Sequence, residues 1–176
     1  MGSNQLLLIV AALAILITLQ LAINGSLIRS FAGDLDNEAT IDATAIGEAM
    51  VDEIIVKAFD VKTKNAVIYN LSYLTRSDSL GRDVGDSTTV VNEREPFRSR
   101  LGFDDVDDYN KYTRIVTSPR LGDFYVKDTV YYVGGANYDS TTNAQTFYKK
   151  IVVNVTHPNL LHPVTVKSTA VYRQFF

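Results

Sequence analysis

The hydrophobic positions divide the chain into three stretches. From Leu6 to Ile23 the sequence is apolar except for Thr18 and Gln20, a length typical of a helix that crosses a hydrocarbon layer. Over residues 29–59 apolar side chains recur every three or four positions with acids between them, which predicts an amphipathic helix. Beyond this stretch the period shortens to two, as in β-strands. We therefore predict a hydrophobic transmembrane or filament-core helix (1–28), its amphipathic continuation (29–59) and a β-rich head (60–176).

The two helical stretches are expected to form one long helix, because no proline occurs before Pro96. We predict this helix from about Gln5 to about Phe59. Glycine costs about 1 kcal/mol inside a helix, so a bend or a local loss of helix is expected at Gly25-Ser26. The second half has one apolar stripe, which needs a sheet or another helix to cover it. The stripe comprises Leu27, Ile28, Phe31, Leu35, Ile46, Met50, Ile54 and Ile55.

Three segments of the head alternate between apolar and polar positions and predict strands. They are Phe124–Val133, Phe147–Thr156 and Val164–Tyr172. An antiparallel meander is the simplest way to connect them. The expected fold class is therefore α+β, with a long hydrophobic-to-amphipathic helix packed on a small antiparallel sheet.

Residues 76–112 show no sustained period and are polar, turn-rich and rich in arginine. We predict a long surface loop there, with at most a short helix or strand. Loops of this length are usually functional or unusually mobile.

Charge is strongly segregated along the chain. Residues 1–28 have no ionisable side chain, residues 29–59 have seven acids and two bases, and residues 60–176 have thirteen acids and fifteen bases. Such a small, scattered basic excess does not neutralise a run of phosphates, so no nucleic-acid partner is expected. The sequence also lacks a glycine-rich phosphate loop, a nucleophile elbow, a zinc-helix motif and the kinase motifs, so we expect neither an enzyme nor a cofactor.

A cluster of four aspartates is the candidate metal site. The residues are Asp104, Asp105, Asp107 and Asp108. Their oxygens suit calcium, although the glycine and the terminal glutamate of an EF-hand loop are missing. The alternative is a solvated turn that caps a helix or pairs with Arg98, Arg100 or Arg114.

The histidines and three asparagines are weaker candidates. His157 and His162 flank a proline loop, and two histidines without a further ligand type are a weak indication of zinc. Each of three asparagines begins an Asn-X-Ser/Thr tripeptide, which is the acceptor pattern for N-linked glycan. They are Asn24, Asn70 and Asn154, of which the last two are expected to be exposed in the head.

Three parts of the sequence resemble the type IV pilin superfamily, which includes bacterial pilins, secretion-system pseudopilins and archaeal relatives. The opening MGSNQLLLIVAALAILITLQLAI is similar to a mature pilin N-terminus. The segment FDDVDDY at 103–109 resembles a stretch of minor pilins and pseudopilins, and YKKIVVNVTHPNLLHPVTVKSTAVYR resembles the closing hairpin of pilin heads.

The resemblance implies a structural subunit of an extracellular pilus-like filament at the cell surface. The chain would be membrane-inserted before assembly, with copies of itself and the assembly machinery of the membrane as partners. The charge segregation adds a further hypothesis: the acidic helix section 34–53 of one subunit, with Asp34, Asp36 and Glu38, would face the basic heads of other copies and set their register. The implied polymerisation core consists of Gln5, Leu6, Leu7, Leu8, Ile9, Val10, Leu13, Ile15, Leu16, Ile17 and Leu19.

Two features depart from the family pattern. The family usually has a glutamate at the position of Gln5, whose carboxylate pairs with the N-terminal amine of a neighbouring subunit. Gln5 still accepts a hydrogen bond from the amine of Met1 but lacks the charge, which weakens this pairing. No basic leader precedes Met1, as expected either for a mature product or for a branch that dispenses with the leader.

Two other functions remain open from the sequence. One is a monomeric, membrane-tethered binding or sensory domain that faces outward. The other is a minor, tip-located or secretion-linked pilin, which the FDDVDDY segment favours. A cleaved signal peptide is disfavoured, because residues 1–5 contain no basic side chain.

Overall fold

The computed structural model describes residues 2–86 and 90–173. One helix, α1, runs from Ser3 to Ile55. The chain divides into two compact units, Met1–Glu38 and Ala39–Phe176. The helix is continuous through Gly25, so the local loss of helix predicted there does not occur. The helix ends before Phe59, because the backbone N–H of Ala58 donates instead to the carbonyl of Asp104.

The head contains five strands in one antiparallel sheet. They are β1 (Thr113–Ser118), β2 (Gly122–Gly134), β3 (Asn137–Thr141), β4 (Tyr148–Thr156) and β5 (Val164–Val171). The order across the sheet is β1-β2-β4-β5, and β3 pairs with the end of β2. The predicted α+β class is confirmed, and β2, β4 and β5 correspond to the three predicted strands. The sequence analysis missed β1 and β3.

One face of the sheet and the second half of α1 form the core. Val130 pairs with Ile151, and Val153 pairs with Val166; the apolar side chains between them are covered by the helix. The residues that α1 buries are Ala39, Ala43, Gly47, Met50, Val51 and Ile54. This stripe contains more small residues than the predicted one, and Ile55 is exposed. Small residues let the helix backbone approach the sheet closely.

In its described residues, 56–86 and 90–112, the connection between helix and sheet contains only short helical pieces. They are the 3₁₀ turns Val61–Thr63, Leu71–Tyr73 and Asp107–Tyr109, and α2 (Ser99–Gly102). The prediction of a surface loop over 76–112 is wrong for its second half. Phe103, Tyr109 and Tyr112 are buried and meet edge to face, with ring centroids 4.9–5.8 Å apart. These aromatic side chains have no regular spacing, so periodicity did not reveal their burial.

Gly47 is expected to be intolerant of a side chain. A Cβ there would lie 2.6 Å from Cγ2 of Val166, so Gly47→Leu would overpack the contact between α1 and β5. We expect the variant to lose about 1–3 kcal/mol of unfolding free energy, measured by denaturation of the full chain in detergent. Gly33→Leu is the control, since nothing lies within 4 Å of that position and leucine favours the helix. Equal stabilities of the two variants would contradict the packing described.

Candidate assembly surface

The first part of α1 presents an uncharged apolar surface. Leu7 and Leu8 are each 69% exposed, and none of the most apolar 18-residue window is buried. The helix is long and apolar enough to cross a membrane. A continuous surface of this kind requires lipid or protein to cover it. Ten of the predicted core residues are exposed: Leu6, Leu7, Leu8, Ile9, Val10, Leu13, Ile15, Leu16, Ile17 and Leu19.

The polar groups of this segment are few. The hydroxyl of Thr18 donates to the carbonyl of Ile15 at 2.9 Å. Its hydrogen-bond donor is therefore satisfied within the helix when the surroundings are apolar. Gln5 is exposed in the first turns of the helix. Met1 lies outside the described residues, so its pairing with Gln5 stays a prediction.

The acids predicted to set register begin where the apolar surface ends. Asp34 is exposed, whereas Asp36 and Glu38 are half-buried. All three lie on α1 within ten residues of Arg29, the first basic residue of the chain. Their contact with the heads of other copies stays a prediction.

Within the second unit, polar contacts hold α1 to the head. A carboxylate oxygen of Glu53 accepts from the Tyr109 hydroxyl at 3.0 Å, and the other accepts from Nη1 of buried Arg114 at 2.8 Å. Asp42 accepts from the hydroxyl of Ser118 at 2.8 Å. Nζ of Lys57, just beyond the helix, donates to two loop carbonyls at 2.8 Å each. The helix is therefore held along residues 42–57 by contacts with β1 and with the loop before it.

A buried lysine forms the ionic centre of the head. Nζ of Lys149 donates to Asp107 at 2.6 Å, to the carbonyl of Phe59 at 2.7 Å and to Asp60 at 3.2 Å. It also lies 4.6 Å from the centroid of the Phe59 ring. Burial raises the pKa of Asp60, but the charge of Lys149 and two backbone N–H donors outweigh burial, so this pKa is lowered overall. Lys149 thus joins β4 to the segments on both sides of the long connection.

The four aspartates of the predicted metal site have protein partners. Asp105 accepts from the backbone N–H groups of Asp107 and Asp108 at 3.0 and 3.1 Å. Asp108 accepts from those of Asp104 and Asp105. Asp104 pairs with Lys64, and Asp107 with Lys149.

The arrangement of these aspartates does not support the calcium hypothesis. Among the described residues, no group of three or more His, Asp or Glu side chains is placed to hold a metal ion. The suggested arginine pairing is also incorrect, because the partners of Asp104 and Asp107 are lysines. The aspartates instead close the turn at 104–109 and bind Lys149.

Burial raises the pKa of three acids of this turn, Asp105, Asp107 and Asp108. Burial and the neighbouring charges of Asp107 and Asp108 raise the pKa of Asp105 to about 9. Burial raises the pKa of Asp108 to about 7, and contact with Asp86 adds to the effect. Burial also raises the pKa of Asp107, although Lys149 opposes it. A proton on Asp105 reduces its repulsion with the neighbouring acids Asp107 and Asp108.

The histidine and asparagine candidates lie in different surroundings. His157 stacks on Phe124 at 4.3 Å between ring centroids, and its Nδ1 accepts from the backbone N–H of Asn159. Asn70 is exposed in a loop, whereas Asn154 is half-buried in β4.

Several charged residues inside the head escaped the sequence analysis. Lys149, Arg114, Asp128 and Asp60 are buried. Within the described part of the chain, neither carboxylate oxygen of Asp128 has a hydrogen-bond partner, and burial raises its pKa well above the ordinary value. A signal for Lys149 was present: in a strand it shares a face with Ile151 and Val153, because side chains alternate.

No family model, curated protein or solved structure matches this chain. The layout of a long apolar N-terminal helix and a small antiparallel sheet is pilin-like.

Replacing Lys149 is expected to destabilise the head strongly. Lys149→Met would leave Asp60 and Asp107 buried without their cation, and breaking a buried pair in this way costs about 3–5 kcal/mol. Denaturation followed by tyrosine fluorescence measures the loss. Lys150→Met is the matched control, since the neighbouring lysine pairs with the exposed Asp139 and little change is expected. Similar losses in both variants would contradict the central role of Lys149.

The head is expected to become less stable as pH rises. The folded state holds the proton of Asp105 up to about pH 9, whereas the unfolded chain releases it near 3.8. Raising the pH between these values therefore favours unfolding. In Asp105→Asn the amide replaces the protonated carboxyl, so the unfolding free energy should fall less steeply between pH 7 and 9.

Asp78→Asn is the control for this measurement, because Asp78 is exposed on a loop. Its pH profile should match that of the unmodified chain. An alkaline slope that is the same in Asp105→Asn would show that Asp105 does not carry the proton.

Proposed function

We propose that this chain is a structural subunit of an extracellular type IV pilus-like filament and polymerises through its N-terminal helix. The observation that carries the proposal is the uncharged apolar surface of residues 6–23, which is exposed along the helix. The resemblance of the opening sequence to mature pilins supports the same function.

Hydrophobic burial provides the driving force for assembly. Covering a leucine-sized side chain is worth about 1.5–3 kcal/mol, and ten such side chains are exposed on this helix. An exposed ion pair contributes about 0–1 kcal/mol. Contacts between apolar helices of sister copies therefore determine whether the filament forms, and charged contacts act on its register.

The same apolar surface would also hold the chain in the membrane before assembly. The helix meets the length and hydropathy of a membrane span, so lipid covers it until sister helices replace the lipid. The partners are then other copies of the chain and the membrane machinery that extracts and assembles them. The head needs no catalytic activity for this role, and the finished filament lies at the cell surface.

Helix length favours a filament over a tethered monomer. A membrane anchor requires about 20 apolar residues, whereas α1 continues to Ile55 and is fixed to the head through Glu53. A tether alone does not need the additional helical residues that pack on the head. A minor, tip-located or secretion-linked subunit is a variant of the same proposal, favoured by FDDVDDY at 103–109.

A charge in the apolar segment is expected to abolish filaments. Asp at the centre of an apolar helix costs about 2.5–3.5 kcal/mol, so Leu13→Asp should leave no fibres in material sheared from cells and viewed by electron microscopy. Leu13→Met, which keeps the apolar surface, should form fibres as the unmodified chain does. Fibres of Leu13→Asp, or an unmodified chain that forms none, would contradict the proposal.

Charge reversal in the acidic section is expected to weaken filaments without preventing them. The triple variant Asp34→Lys, Asp36→Lys, Glu38→Lys should give filaments that dissociate at lower temperature, because the reversed charges repel the basic heads. Added salt screens these charges, so it should reduce the difference in dissociation temperature between the triple variant and the unmodified chain. Asp78→Lys, on an exposed head loop, controls for a charge reversal outside the acidic section and should leave the filaments unchanged. Filaments indifferent both to the triple reversal and to salt would remove the electrostatic contribution.

A further inference from the structure

The three Asn-X-Ser/Thr tripeptides occupy very different places. Asn24 lies on α1 directly after the apolar run, where the membrane or sister helices would cover it. Asn154 lies within β4, between β2 and β5, and its Oδ1 accepts from the Thr165 hydroxyl at 2.7 Å. The hydroxyl of Thr156, the third residue of that tripeptide, donates to the carbonyl of Tyr125 at 3.4 Å. At Asn154 the side-chain oxygen and the hydroxyl of its tripeptide are thus both engaged within the sheet.

Asn70 differs from both in its local geometry. It is exposed, and its backbone is extended at the start of the 3₁₀ turn Leu71–Tyr73. Oδ1 of Asn70 accepts from the backbone N–H of Ser72 at 3.0 Å and from the Ser72 hydroxyl at 2.9 Å. Nδ2 donates no hydrogen bond to a described residue. Nδ2, the atom to which a glycan would be attached, is therefore accessible. The Ser72 hydroxyl, which the tripeptide requires, lies beside the same amide group.

The loop that carries Asn70 is held firmly at both ends. The backbone N–H of Ile68 donates to the Tyr172 hydroxyl at 3.0 Å. The N–H and hydroxyl of Thr75 donate to the buried Asp60 at 2.9 and 3.1 Å. Ile68 and Leu74 are buried between these points. Asn70 is thus presented from a fixed position on the surface of the head.

The segment that carries Asn70 exposes apolar side chains and contains no charged residue. No acidic or basic side chain occurs between Asn65 and Thr75, yet Tyr69 is 71% and Tyr73 67% exposed. Val67 and Leu71 are exposed beside them. Such a patch on a head that faces water requires a cover, and a sugar at Asn70 would offer its C–H faces to the tyrosine rings and its hydroxyls to water.

We infer that Asn70 is a site of N-linked glycosylation, and that the attached glycan covers the patch formed by Val67, Tyr69, Leu71 and Tyr73. The donor would be an oligosaccharide linked through diphosphate to a membrane lipid, used by a membrane oligosaccharide transferase. Nδ2 forms a bond to C1 of the first sugar, the bond from C1 to the diphosphate oxygen breaks, and the lipid diphosphate leaves with the electron pair. The proton lost by Nδ2 passes to a base of the transferase.

The inference rests on the proposed delivery of the head to the outer side of the membrane, but not on polymerisation. Modification with no filaments would leave it standing and would contradict the proposed function alone. Filaments with an unmodified Asn70 would contradict the inference and leave the proposed function standing. Electron microscopy of the same preparation therefore separates the two failures.

The test is mass spectrometry of the full chain isolated from the cells that produce it. Trypsin releases the peptides 65–76 (NAVIYNLSYLTR) and 151–167 (IVVNVTHPNLLHPVTVK), which separate Asn70 from Asn154. We expect sugar on the first peptide and none on the second. An unmodified 65–76 peptide, or sugar on 151–167 alone, would overturn the inference.

Variants distinguish the site from its surroundings. Ser72→Ala keeps Asn70 and its bond to the backbone N–H but should lose the sugar, whereas Ser72→Thr should retain it; Asn154→Gln should retain it too. Chymotrypsin should cleave at Tyr69 and Tyr73 several-fold faster in Ser72→Ala than in Ser72→Thr. Equal cleavage rates in the two variants would mean that the glycan does not cover the patch. If an unmodified patch were protected from chymotrypsin only in filaments, a second copy of the chain would be the cover.

Discussion

The constraint on which this structure depends is that an apolar helix surface without any charge has to leave water. Residues 1–28 contain no ionisable side chain, and no part of the most apolar window is buried within the chain itself. Lipid and an apolar protein surface can both cover it, and the proposed cover is first lipid and then sister helices. A filament core of such helices would resemble a membrane interior from which the lipid has been removed. In the proposed filament, assembly exchanges one apolar surrounding for another.

The head has to stay folded and fixed to the second half of the helix. The chain contains no cysteine, so no disulfide contributes. Small residues of α1 let the helix lie close to the sheet, as Gly47 does against Val166, and Glu53 joins the helix to Tyr109 and Arg114. Lys149 joins the long connection to β4. Each of these contacts is long-range in sequence, so together they hold residues 39–55 of the helix, the connection and the sheet in one compact unit.

Much of the fold could be predicted from the periodicity of the apolar positions. The parts that could not be predicted have one cause in common. The long helix and strands β2, β4 and β5 have regular patterns of apolar positions, which local sequence reveals. Strand β1 was missed because its inward positions include Arg114, and β3 because all its residues are exposed. The loop at 103–112 was assigned to the surface because its buried aromatics are irregularly spaced. Pattern analysis places charges outside, so it could not place Lys149, Asp60 or Glu53, whose positions depend on partners distant in sequence.

The central claim is that the apolar helix is covered by identical helices, and sedimentation of the full-length chain after detergent removal tests it most directly. The account predicts that the chain, with its first two dozen residues intact, sediments as polymers of many copies. It also predicts that adding detergent returns the chain to monomers with a folded head. A dispersed, detergent-free monomer with an intact N-terminus would contradict the claim and the proposed function with it.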